Sequence, residues 1–206
     1  MSASEINVIY ENDSVIIERV YLVAIDRRRA LEATATSIVL ALLYVAVYRF
    51  FQRLGVYQGL IAFNPWLFYP PAFIKLFAFL LAGYWALPWI IAAAFVCIDF
   101  GVDPNGRIVL AVLSISAAFA GADAASRALK INPSLEGVSA KDLLILSIAS
   151  CAANAAALRV GLEITAFEKA LMPDYLSIIV GDTLGIWCMI YAIKMALHAI
   201  APTRRA

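Results

Sequence analysis

Long apolar runs separated by short polar breaks set the pattern of this chain. The runs cover 30–48, 65–81, 85–100, 107–129, 143–162 and 175–200. Each approaches the ~20 residues with which a helix crosses the ~30 Å hydrocarbon core of a bilayer. Backbone groups find no water at that depth, so a spanning segment is either a helix or part of a closed barrel. Runs of this length without period-two alternation are helices. The pattern therefore predicts an all-α, polytopic transmembrane bundle of about six spans.

The breaks refine that picture. Ala82-Gly83-Tyr84 alone separates the second run from the third, which implies a helical hairpin. Pro70-Pro71 and Pro88 stand where those two helices should begin, since a missing N–H is least harmful in a first turn. Asp103-Pro104-Asn105-Gly106 signals a turn before the fourth run, a polar loop occupies 130–142, and Pro173-Asp174 precedes the last run. Residues 1–29 form a separate segment, polar at first and then amphipathic through Val15–Val23. It reads as a surface helix capped by Asp13 or Ser14, but its β-branched residues leave a strand open. Three domains result: the segment 1–29, a transmembrane region 30–200 and a tail 201–206.

Composition supports the same reading, because 64% of the 206 residues are hydrophobic and 15% charged, against roughly 25% charged in an ordinary soluble domain. Mean hydropathy is +0.85, and with a net charge of +1 and a pI near 7.7 nothing suggests a nucleic-acid partner, which would need a concentrated basic face. Acidic residues at Glu5, Glu11, Asp13 and Glu18 precede any long apolar run, so the first span reads as an uncleaved anchor. Cys97, Cys151 and Cys188 lie inside apolar runs and read as small buried residues, with no disulfide framework, metal site or cofactor implied. Basic residues fix the orientation. Arg19, Arg27, Arg28, Arg29, Arg127, Lys130, Lys141, Lys194, Arg204 and Arg205 fall on one side of six spans, and Arg49, Arg53, Arg107, Arg159 and Lys169 on the other. The richer side is cytoplasmic, which places both termini there.

Ionisable groups in the hydrocarbon region cost roughly 2.5–3.5 kcal/mol each on insertion scales, so each demands a partner or a wet cavity. Asp182 lies between Gly181 and Gly185, whose spacing lets another helix approach closely, with Trp187 following. It reads either as a structural contact between helices or as a ligand-sensing carboxylate. Lys75 needs an anion, for which Asp182, Asp123 and Asp99 are available. Asp123 has Arg127 four residues on and favours a local ion pair, as do Arg159 and Glu163. Asn154, in an alanine-rich span, is placed to bridge to a neighbouring helix.

The order of motifs resembles the bacterial membrane-associated sensor domains of the MASE type, first class. The likeness rests on Pro70-Pro71-Ala72, on Gly83-Tyr84-Trp85-Ala86-Leu87-Pro88 and on Gly181-Asp182-Thr183-Leu184-Gly185, and covers roughly residues 63–193. That family usually has glycine where Phe73 stands, carries about eight spans and is fused to a signalling output. The resemblance implies a shortened, free-standing sensory or adaptor module in a bacterial inner membrane, acting through a separate partner protein or as accessory subunit of a larger complex. A homo-oligomer is the other assembly open to it. The second reading is a small-molecule carrier or substrate-capture subunit with Asp182 and Asn154 facing one cavity. An enzyme built on Cys151 and Arg159 is disfavoured, since the single histidine, His198, lies in another span.

Overall fold

A computed structural model of the chain describes residues 3–54, 68–98, 102–132, 135, 137–165 and 174–200, with side chains from residue 28 to 198 within those ranges. Among the described residues every regular element is helical: α1 (Ala3–Arg53), α2 (Pro71–Ala82), a 3-10 turn (Gly83–Ala86), α3 (Leu87–Cys97), α4 (Pro104–Ala128), α5 (Ala140–Ile164) and α6 (Tyr175–Ile200). Five stretches are long and apolar enough to cross a membrane: Arg28–Arg53, Pro71–Cys97, Pro104–Ala128, Ala140–Ile164 and Tyr175–His198.

The N-terminal segment corrects the expectation of a separate element capped at Asp13 or Ser14. α1 starts at Ala3 and runs unbroken for 51 residues. The reason is in the sequence: neither glycine nor proline occurs before Gly55, and once a helix is nucleated each added residue needs only to propagate it. At 1.5 Å per residue α1 is about 76 Å long, of which roughly 37 Å precedes its apolar stretch. Its buried face is Ser37, Leu40 and Tyr44, at helical spacing.

The second and third apolar runs meet in one 27-residue stretch, Pro71–Cys97, which length and composition alone would admit as a single span. Its contacts bring its two ends together. A straight helix would put its ends about 40 Å apart, yet both ends sit against the last turns of α1. Phe68 stacks edge-on against Phe51 with ring centroids 5.7 Å apart, the Tyr69 hydroxyl lies 2.7 Å from that of Tyr44, and the Arg49 guanidinium donates to the Val96 carbonyl at 3.4 Å. The stretch therefore doubles back at Gly83, whose φ of +56° ends α2 in a conformation that favours glycine. Proline stands in the first turn of each arm. The arms are 12 and 11 residues long, about 18 and 16 Å, so neither helix alone matches the hydrocarbon thickness. At the tip, Tyr84 packs on Phe119 and its hydroxyl donates to Asp123 of α4 at 3.3 Å, about five residues before α4 ends.

α2 is the centre of the bundle, in contact with α1, α4, α5 and α6. Pro71–Leu76, Ala78 and Ala82 are buried, as expected of a helix with apolar residues on all sides. Around it α4 and α5 pack antiparallel and very closely. A Cβ on Gly121 would lie 2.5 Å from the Ala149 carbonyl oxygen and 2.8 Å from Ala153 Cβ, and Ser150 donates to the Ala118 carbonyl at 3.0 Å. Helix starts are fixed locally. The Asp103 side chain accepts from the Gly106 N–H at 2.8 Å, and Ser139 with Asp142 forms a reciprocal capping box at the start of α5.

Candidate functional site

Three of the polar residues singled out above meet at the base of the hairpin. Lys75 comes from the central helix, with its side chain 7% exposed; Asn154 comes from α5 and Asp182 from α6. All three are buried, at 6%, 3% and 4% exposure. The Asn154 amide nitrogen donates to Asp182 Oδ2 at 2.7 Å, while its oxygen accepts from Lys75 Nζ at 3.4 Å. The amide thus lies between opposite charges with its oxygen toward the cation and its nitrogen toward the anion, the orientation electrostatics requires. Lys75 Nζ stands 4.0 Å from Asp182 Oδ2. Of the anions considered for Lys75, Asp182 is the one it meets; Asp123 is occupied elsewhere, and Asp99 lies outside the described residues.

Two tyrosines complete the cluster. Lys75 Nζ lies over the Tyr69 ring, 5.1 Å from its centroid, a cation–π contact that gains strength from desolvation. The Tyr69 hydroxyl in turn meets that of Tyr44 on α1. The chain of contacts therefore joins α1, the hairpin base, α5 and α6. Neither tyrosine stands out in the sequence as a site residue. Tyr69 lies there near a span end, among aromatics that read as an interfacial belt or as lining a cavity, directly before Pro70-Pro71.

Gly181 and Gly185 act differently from the expected contact between two helices. What approaches α6 is the non-helical segment leading into α2: the Tyr69 N–H donates to the Gly181 carbonyl at 3.1 Å. A Cβ on Gly185 would strike the Tyr69 carbonyl and lie 2.8 Å from Pro70 N. This groove seats the backbone just before Lys75 and so sets how deeply the ammonium enters.

The remaining candidates lie apart. Asp123 pairs with Arg127 at 2.9 Å and serves the hairpin tip. Trp187 is half-buried on α6, with its indole N–H enclosed and without a hydrogen-bond partner among the described residues, while the Thr183 hydroxyl one turn earlier meets the Cys151 thiol. Cys97 and Cys151 are buried as expected, whereas Cys188 is exposed on α6. Arg159 pairs with Glu163 at 3.2 Å and stands two turns along α5 from Cys151. Among the described residues no group of histidine, cysteine and carboxylate side chains is placed to hold a metal ion. The chain matches no known protein-family description, no curated protein and no solved structure.

Proposed function

We propose that this chain is a non-enzymatic, multi-pass membrane module of sensory or adaptor kind, acting through a separate partner protein or as accessory subunit of a larger membrane complex. The observation that carries the reading is the connection from the buried charges to α1. Through Tyr69, the Lys75 cluster reaches Tyr44, and α1 extends as one helix well beyond its apolar stretch. A displacement at the hairpin base has a rigid element through which to reach a partner outside the bilayer.

The topology follows from the same hairpin. With α1, α4, α5 and α6 crossing and the hairpin entering and leaving on one face, the number of passages is even. Both termini then share the side rich in arginine and lysine, the cytoplasmic side of a bacterial inner membrane. Six spans, with the two arms counted as short crossings, give the same parity. The carrier reading draws its support from the same three buried polar side chains, which intramembrane transport sites also use.

Purification of the tagged full-length chain in mild detergent tests the leading reading. A second protein is expected to co-elute in fixed stoichiometry. A chain that always emerges alone and monodisperse contradicts the adaptor role and leaves the carrier.

A further inference from the structure

We propose that the Lys75–Asn154–Asp182 cluster binds a small monocarboxylic acid, taken up as the undissociated acid, its carboxylate pairing with Lys75 and its proton passing to Asp182. The balance is simple: the acid's O–H bond breaks, an O–H bond forms on the Asp182 carboxyl, and the anion stays on the ammonium. This deepens the sensory reading by naming its ligand class.

The argument starts from Lys75. Its side chain is 7% exposed, and an ammonium offers three donors. It has one long bond to Asn154 at 3.4 Å, an aromatic face at 5.1 Å and a carboxylate oxygen at 4.0 Å. Charge-assisted bonds between an ammonium and a carboxylate normally close to about 2.7–2.9 Å. The shortest bond in the cluster goes to the anion instead, from Asn154 to Asp182 at 2.7 Å. Among the described residues the buried cation is therefore the under-coordinated member, and the group that would satisfy it is a compact acceptor with carboxylate geometry, displacing the Asn154 oxygen.

Charge conservation selects the acid over the free anion. A second negative charge beside Asp182 would leave the enclosed site with a net charge, which a low dielectric strongly disfavours. Uptake of the neutral acid keeps the site neutral throughout. Among the described residues, the other titratable groups that feel the charge of Asp182 are Cys151 on α5 and Tyr44 on α1, with Tyr48 of α1 and Cys97 of α3 beyond Tyr44. The one described cation acting on Asp182 is Lys75. Tyr69, at the base of the hairpin, contributes its ring to the ammonium.

The experiment uses acetate as probe, with chloride as control, on the full chain in mild detergent. Acetate is expected to raise the thermal midpoint, with half-maximal effect at about tenfold lower concentration at pH 6 than at pH 7, because one proton enters with each anion. Asp182→Asn is expected to respond to acetate equally at both pH values, and Lys75→Met to lose the response. In weakly buffered solution at pH 7, binding by the wild type should take up one proton per acetate, a reading that needs no variant to fold. Equal effects of chloride and acetate, a response kept by Lys75→Met, or no proton uptake would overturn the proposal. Failure of acetate with a partner still co-eluting removes the ligand alone, whereas loss of the partner removes the sensory reading beneath it.

Discussion

Asp182→Ala is expected to lower the stability of the folded chain by about 3–5 kcal/mol, the range seen when one member of a buried ion pair is removed. The reason lies in what remains. Lys75 sits on the central helix at 6% exposure, and its other contacts are an amide oxygen at 3.4 Å and a tyrosine ring. Nothing described there replaces the lost negative charge, and the Asn154 amide loses the acceptor of its short bond. The pair itself need not be strongly stabilising, since two charges brought out of water largely offset their own attraction. The double replacement Lys75→Met with Asp182→Leu should therefore recover most of the loss. Denaturant titration in mixed micelles measures both. Equal destabilisation by the single and double variants would show that the two charges do not depend on each other.

Gly185→Val carries the second large effect, an expected loss of at least ~3 kcal/mol, at or above the usual range for overpacking. The new Cβ would meet the Tyr69 carbonyl and Pro70 N, which are backbone atoms held by proline and by the bond from Tyr69 N–H to Gly181. No rotamer change relieves such a clash. Gly83→Ala offers the contrast: open space surrounds its Cβ position, and only the φ of +56° opposes the change, which is expected to cost about 1 kcal/mol. Chemical denaturation of both variants checks the order. A Gly185→Val chain as stable as the wild type would mean that the hairpin base does not lie in the groove of α6.

The sequence carries the helical character, the helix starts near Pro71, Pro88 and Tyr175, and the pairings of Arg127 and Arg159, because these depend on residues near one another in the chain. It also carries the hairpin, in the brevity of Ala82-Gly83-Tyr84. Asp103–Gly106 reads as a turn before a run starting at 107, whereas Asp103 is the N-cap and Pro104 opens α4. The length of α1 was legible too, in the absence of glycine and proline before Gly55, but the polar start of the segment draws attention to a cap instead. The partner of Lys75 was open among three aspartates, since choosing Asp182 requires knowing that α2 is central and α6 lies beside it. Tyr44 and Tyr69 were harder still. Nothing local distinguishes a tyrosine that meets another tyrosine across the bundle from one in an interfacial belt. The groove at Gly181 and Gly185 is visible as a close approach, while the non-helical backbone at Tyr69 and Pro70 that occupies it is not.

All of this depends on the hairpin turning back toward the face where it begins. Single cysteines at Leu54→Cys, Val102→Cys and Lys130→Cys, in a chain cleared of Cys97, Cys151 and Cys188, report it directly through labelling of sealed membrane vesicles with an impermeant maleimide. The hairpin places Leu54→Cys and Val102→Cys on one face and Lys130→Cys on the other. Labelling of Leu54→Cys and Val102→Cys from opposite faces would make Pro71–Cys97 a single crossing and contradict the account.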